Sequence, residues 1–470
     1  MLTERQIKDL VTQMWTMQQT DRRVLDEVYR AVTGRSGRPN VPEDSAEEIK
    51  DLARLSVLNV LGMVRDSFAQ NLAVVGYRTA SAEDNDPAWE TWQRNRMDAR
   101  QAEVHRPAIT YGASYALVTP SKRGAVIHTR SPRQMLAVYE DPTLDAWPQY
   151  ALQTWVTQKN AKPWRRGVLF DSERMYELDL GAVTDGDVIE GAAEKVPTVH
   201  VVDSAEKHGA VFDGDAVCPV VRFINGRDAD DMIVGEVAPL MTTQRVINEV
   251  NFDRLIVSRF AAIPQKVITG WQGDASETAR AGAARVMSFK DHEVRAQNFP
   301  AGDMAQYDNT LSELFEHVAL VAGLSPAQVT GKMVNVSADA LAAAEAIMQR
   351  KLTAKRDSFG ESWEQVMRLC AAMDGDPSTA ADSGAEVVWR DTEARTFAAV
   401  VDGVTKLHAA DVPIEPLLPL IPGLTQQQVT AIKNGMRDAR TTSLVQRLTA
   451  APLAPIPAPP ANATADVQAL

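Results

Sequence analysis

Apolar residues at Leu341, Ala344, Met348, Leu352, Phe359, Trp363, Val366 and Cys370 recur close to the 3.6-residue period and predict one very long helix. Ser337 is a good N-cap and Asp339 places a carboxylate in the first turn, where the helix dipole favours it. Gly375 and Pro377 end the pattern. At 1.5 Å per residue such a helix is roughly 50 Å long, more a spine than one element of a compact enzyme fold. A second helix follows Pro239, with Met241, Val246, Ile247, Val250, Leu255 and Ile256 as its apolar positions, and Pro264 stops it. A return helix from about Met304 to Val321 carries Leu311, Leu314, Phe315 and Val318 on one side, with Asp308, Glu313 and Glu316 elsewhere. Between these two lies an insert with strand-like pieces at Val267–Thr269 and Val286–Phe289 around an Ala-rich turn of helix near Ala279. It is too small to bury a core alone and is expected to borrow one from a neighbour.

Upstream, residues 1 to about 112 read as helices. Thr3 and Gln6 are spaced as a capping box ahead of Ile7, Leu10, Val11 and Met14. Leu55, Leu58, Leu61, Val64 and Phe68 form a second stripe, and a third helix is expected from Pro87 through Trp89, Trp92 and Met97 towards Tyr111. Residues 113 to 225 switch to short β-rich runs. Tyr115–Val118 and Ala125–His128 flank a Ser-Lys-Arg-Gly turn and read as a hairpin; Val168–Phe170, Met175–Leu178, Val199–Val202 and Val220–Ile224 extend the series. Beyond the long helix come a strand at Glu386–Trp389, helices near 392–410 and 425–447, and a tail from Ala451 rich in Pro and Ala, where disorder or an extended arm is expected. The fold class is α+β and helix-rich.

Composition narrows the function. With 45% hydrophobic and 24% charged residues, the 470-residue chain has the makeup of a multidomain soluble protein. No apolar run reaches the roughly 18 residues of a membrane span and the N-terminus does not read as a signal peptide, so a cytoplasmic origin without membrane contact is expected. The formal charge of −13 argues against tight phosphate-neutralising DNA binding. It suits a surface past which DNA moves without sticking. The two cysteines, Cys218 and Cys370, lie in apolar context and read as buried thiols.

Catalytic chemistry finds little support. Gly323 to Met333 has a superficial likeness to a phosphate-binding loop, but seven residues separate its glycines where four are needed, and Met333 replaces the Ser or Thr that would hold magnesium. A connector between helices is the better reading, with Lys332 free to touch a phosphate transiently. The seven histidines show no metal-binding or triad spacing. Acidic pairs such as Asp230–Asp231 read as solvated charge, and Trp89, Trp92, Trp363 and Trp389 as core. The basic residues Lys433, Arg437 and Arg440 are too few, and follow too long a Pro-rich loop, for a helix-turn-helix reader.

Several segments in fixed order resemble one family. These are Val64–Arg78 (VRDSFAQNLAVVGYR), Trp92–Asn95 with the helix leading into Tyr111–Tyr115, Pro219–Arg227 (PVVRFINGR) and Gly235–Leu240 (GEVAPL). Ala262–Gly270 (AIPQKVITG), the Gly323–Pro326 loop and Asn335–Ala340 (NVSADA) complete the series. The chain thereby resembles the portal proteins of tailed double-stranded DNA bacteriophages, of the siphophage type, over nearly its whole length.

The resemblance implies a portal fold with wing, stem, clip and crown regions assembled as a dodecameric ring at a capsid vertex. It maps residues 1–236 to the wing, 237–263 and 304–322 to the stem helices, 264–303 to the clip and 323–336 to a tunnel loop. The long wing helix becomes 337–374, the crown with its adjoining strand 375–450, and the tail 451–470. The implied activity is physical: a conduit for genome packaging and ejection that docks the terminase large subunit and later the head-tail adaptor, beside the major capsid protein, with no cofactor and no metal. The expected location is the virion, after assembly in the host cytoplasm. On this map Lys332 and Asn335 are tunnel-loop candidates for DNA contact, and Asp308, Glu313 and Glu316 candidates for an acidic channel wall. Lys266, Trp271, Lys290 and Arg295 of the clip would meet the protein partners. Another oligomeric virion component, an adaptor or scaffold, and a multidomain enzyme are the alternatives.

Overall fold

A computed structural model describes residues 1–79, 87–183, 197–202, 205–262, 266–269, 295–298, 304–331, 338–390, 392, 397–421 and 426–450. The chain divides into two compact units, 1–393 and 394–470.

The first unit opens with α1 (Glu4–Val32), whose Thr3 and Gln6 form the expected capping box. The expected second stripe is two helices: α2 (Glu47–Leu55) ends before α3 (Val60–Ala69) begins, and Leu55 is exposed. Asn59 causes the restart, because its side chain accepts from Gly62 N and caps α3. The strand β1 (Val74–Arg78) follows. The third expected helix is likewise broken, into α4 (Pro87–Arg94), α5 (Met97–Arg100) and α6 (Ala102–Tyr111), with Arg96 at a left-handed φ of 55° between the first two.

Two antiparallel sheets come next. One has the order β12-β2-β3 and joins the expected hairpin, β2 (Ala113–Thr119) and β3 (Val126–Arg130), to β12 (Val220–Ile224). The other is a meander of β4 (Met135–Val138), β5 (Tyr150–Lys159), β6 (Lys162–Phe170), β7 (Arg174–Ala182) and β8 (His200–Val201), with β9 (Glu206–Lys207) also paired to β7. The small hairpin β10 (Val211–Phe212) and β11 (Asp215–Ala216) leads into β12. The face of α1 carrying Ile7, Val11, Met14 and Trp15 covers the meander at Leu152, Leu169, Tyr176 and Leu178.

A 3-10 turn at Ala238–Leu240 starts α7 (Met241–Ala262). In the insert, β13 (Lys266–Thr269) matches the expected Val267–Thr269 piece and pairs antiparallel with β14 (Arg295–Asn298), a strand the sequence pattern did not announce. The expected Val286–Phe289 piece and the helix near Ala279 fall outside the described residues. Then come α8 (Met304–Ala322), α9 (Pro326–Thr330) and the long helix α10 (Ala338–Asp374), followed by α11 (Pro377–Ala380). The final strand of the unit, β15 (Glu386–Trp389), pairs with β1.

The main core forms around α10. Met348, Leu352, Phe359, Trp363, Val366 and Cys370 are all buried, as their periodicity requires; the side chains of Leu341 and Ala344 lie outside the described residues. Phe223 of β12 meets Trp363 edge-on at 4.7 Å, and Trp363 meets Trp92 at 4.9 Å. Ser358 and Ser362 donate to the carbonyls of Ile224 and Arg222, fixing α10 along the sheet edge. Both cysteines are buried and free.

The second unit contains α12 (Phe397–Ala409), a 3-10 segment at Glu415–Leu420 and α13 (Gln426–Ala450). Arg440 of α13 pairs with Glu415 at 2.7 Å.

Candidate functional site

The helices α7, α8 and α10 converge where the chain leaves α8. Leu311, Val318, Ala319 and Ala322 are the buried positions of α8, set by spacings of three, four and seven residues. Glu313, Glu316 and Leu320 lie on the opposite, exposed face. Asp308 differs from the two glutamates, because it pairs with Arg254 of α7 at 3.0 Å and ties the helices together. Of the three acidic-wall candidates, then, two share the outward face and one is an inter-helix tie.

The expected tunnel loop is partly helical. Ser325 and Gln328 form a capping box, with Ser325 N donating to Gln328 Oε1 at 3.0 Å and Gln328 N to Ser325 Oγ at 3.3 Å, and Pro326 at the first position completes the start. Gly331, at φ 68°, ends α9. The Ser-Pro-Ala-Gln spacing is the sequence signal for this start. Lys332 and Asn335 lie outside the described residues, as does Ser337, the expected cap of α10.

Of the insert candidates, Lys266 and Arg295 sit at opposite ends of the β13–β14 ladder, Lys266 opposite Asn298 and Arg295 opposite Thr269. Trp271 and Lys290 lie outside the described residues.

Sequence reasoning missed the polar junction that anchors these helices. Lys351 of α10 donates to Ala322 O at 2.9 Å and so caps the C-terminus of α8, while pairing with Glu236 at 3.1 Å. Glu236 also pairs with Lys355 at 2.6 Å, and Lys355 donates to Asn225 Oδ1 at 2.7 Å. Burial alone would push the Glu236 carboxyl up, but Lys355, Lys351 and Asn225 hold it below the usual carboxylate range. Burial lowers Lys355, and Glu236 opposes that. One carboxylate thus joins the residue that follows β12, the segment before α7 and the middle of α10. A cleft of about 340 Å³ lined by Arg227, Glu236, Val321 and Lys351 adjoins it.

Sequence reasoning also passed over a polar stripe on α7, Gln244, Asn248 and Asn251, spaced four and three residues apart. Gln244 Oε1 accepts from Val60 N at 3.0 Å, Asn248 Oδ1 from Leu58 N at 3.1 Å, and Asn251 Nδ2 donates to Ser56 O at 2.7 Å. These amides satisfy the backbone of the α2–α3 connection, which would otherwise be buried without partners.

Among the described residues no group of three or more His, Cys, Asp or Glu is placed to hold a metal ion. No helix among them is long and apolar enough to cross a membrane.

Comparison with known proteins places the chain in one family. Residues 22–440 match the family model described as phage portal protein, SPP1 Gp6-like, and the chain belongs to that family. The portal protein of Mycobacterium phage D29 is 28% identical over 357 residues, covering 73% of this chain and 70% of the relative. That of Mycobacterium phage L5 is 27% identical over 365 residues, with the same coverage. Among solved structures, a chain of the virion of a native gene transfer agent particle aligns with a TM-score of 0.46 at 14% identity, over 83% of this chain and 99% of that one. A chain from the neck of that particle, computed with C12 symmetry, aligns with a TM-score of 0.44 at 14% identity, over 84% and 97%.

Proposed function

We propose that this portal-family chain assembles as a closed ring, twelve-fold in the mature particle, at one capsid vertex, and that DNA passes through its centre during packaging and ejection. The reading rests on family membership, and the observation that carries the channel assignment is the face of α8 bearing Glu313 and Glu316. Both carboxylates are exposed there, opposite the buried Leu311 and Val318. Carboxylates on a lumen wall repel phosphates and keep the duplex from settling, which suits a conduit better than a binder. Exposed Ile347 on α10 suits burial against a neighbouring copy in the ring.

In this proposal α7 and α8 form the stem, the insert with Lys266, Trp271, Lys290 and Arg295 forms the clip that meets the terminase large subunit and then the head-tail adaptor, and α10 belongs to the wing. Residues 323–336 form the tunnel segment, where Lys332 and Asn335 touch DNA transiently. The part played is structural, with ATP hydrolysis left to the motor. The location is the capsid vertex, reached after assembly in the host cytoplasm. The test is an in vitro packaging assay with Lys332→Glu and Asn335→Ala; lower DNA uptake or retention supports the tunnel assignment, and unchanged packaging and retention in both removes it.

A further inference from the structure

The two sheets of the first unit share a small core at one end, where Tyr115, Leu117 and Val220 meet Ala151 and Phe170. Beyond it a cleft of about 440 Å³ separates the sheet faces. Its lining is unusual in combining an apolar floor, Val168, Phe170 and Met175, with Trp155, the amides of Gln134 and Gln153, and the guanidinium of Arg130.

Arg130 is half-buried and lacks a counter-charge. Its Nη1 donates to Thr129 O at 2.8 Å, whereas its buried Nε has no hydrogen-bond partner. Among the described residues no carboxylate forms an ion pair with it. The charges that act on it make matters worse: burial lowers its pKa first, and the neighbouring Arg100 lowers it further. His128 alongside is bonded to Thr119 Oγ1 at 2.9 Å and is kept neutral, its pKa lowered to about 4 by burial and by both arginines. Partly withdrawing a cation from water with no anion beside it carries a desolvation cost, so the guanidinium at the edge of this open cleft is left electrostatically incomplete.

The geometry points to a docking site for an extended peptide segment of a partner protein, one that presents a single Glu or Asp carboxylate to Arg130 and a large apolar side chain to Trp155 and Phe170. Charge complementarity selects this occupant. One guanidinium matches one carboxylate, ideally in a bidentate pair. A polynucleotide needs several cations, which the cleft lacks, and would leave the apolar floor unused. The amides of Gln134 and Gln153 at the cleft are suited to a peptide's N–H and C=O groups. The inference does not depend on the channel assignment.

The test uses the full chain and a fluorescein-labelled hexapeptide alternating glutamate with leucine, followed by fluorescence anisotropy. Saturable binding is expected, at least tenfold weaker for Arg130→Met and for a peptide with glutamine replacing glutamate. Arg130→Met is expected to melt no lower than the parent, since it removes an uncompensated charge. Gln153→Glu supplies the missing carboxylate within the chain and is expected to raise the melting temperature and abolish peptide binding. Equal binding by the glutamine peptide, by Arg130→Met or by Gln153→Glu overturns the proposal, as does full displacement of the peptide by a DNA duplex.

Discussion

The indole Nε1 of Trp363 donates to Nε2 of His105 at 2.9 Å, deep in the main core. That bond fixes the tautomer, so Nδ1 of His105 carries the proton and faces Leu72 O at 3.1 Å. One neutral imidazole therefore bridges the long helix to the chain just before β1.

Acid is expected to weaken the fold through this group. Burial lowers the pKa of His105 from 6.5 to about 4, and burial also lowers His128 to about 4 and His208 in direction. Because the folded value lies below the unfolded one, the stabilisation is full above about pH 6.5 and is lost as pH falls towards 4. In that window His105 and His128 each contribute a slope of up to about 1.4 kcal/mol per pH unit, and His208 acts in the same direction. Urea denaturation at pH 7 and pH 5 checks this. His105→Phe should be less stable at pH 7 by about 1–3 kcal/mol per orphaned partner, with a shallower fall between the two pH values.

The Glu236–Lys355 pair should behave as a unit. Lys355→Met leaves a buried carboxylate with only Lys351 and Asn225, and is expected to cost about 3–5 kcal/mol. Adding Glu236→Gln should recover part of that loss, so the double variant falls short of the sum of the singles. A double-mutant cycle by chemical denaturation measures the coupling, and strict additivity would contradict the geometry.

Gly235 permits this junction to form. A Cβ there would fall against the carbonyl of Thr110 and the amide of Gly112, both backbone groups that cannot swing away. Gly235→Ala is therefore expected to destabilise by about 1–3 kcal/mol or more and to loosen the α8–α10 tie, visible as faster hydrogen exchange at the end of α8.

Glu313 and Glu316 should matter for DNA movement and little for folding. Glu313→Lys with Glu316→Lys is expected to change the melting temperature slightly, since exposed charges contribute under about 1 kcal/mol. DNA should be retarded in the packaging assay, and added salt should relieve the effect. Asp308→Asn, which breaks a surface pair between α7 and α8 instead, should also cost under about 1 kcal/mol and leave the salt dependence of DNA movement unchanged.

The sequence exposed the elements whose burial is periodic. α10 was legible because its stripe repeats over many turns, and α8 because one side is apolar and the other charged. β5 was not read: Ala151 and Leu152 are both buried, so alternation fails at its start, and its turn uses Asn160 and Ala161 at positive φ, where Ala gives no turn signal. β1 and β15 pair across most of the chain, and no local pattern reports that. The Glu236 junction stayed hidden for the same reason, since Glu, Lys and Asn each read as surface until the fold brings them together.

The most direct test of the central claim is electron cryo-microscopy of the purified, assembled protein at side-chain resolution. The account predicts closed rings with a channel wide enough for a DNA duplex and the α8 face of Glu313 and Glu316 on its wall. Compact particles without a channel, or rings with those carboxylates buried or on the outer surface, would contradict it.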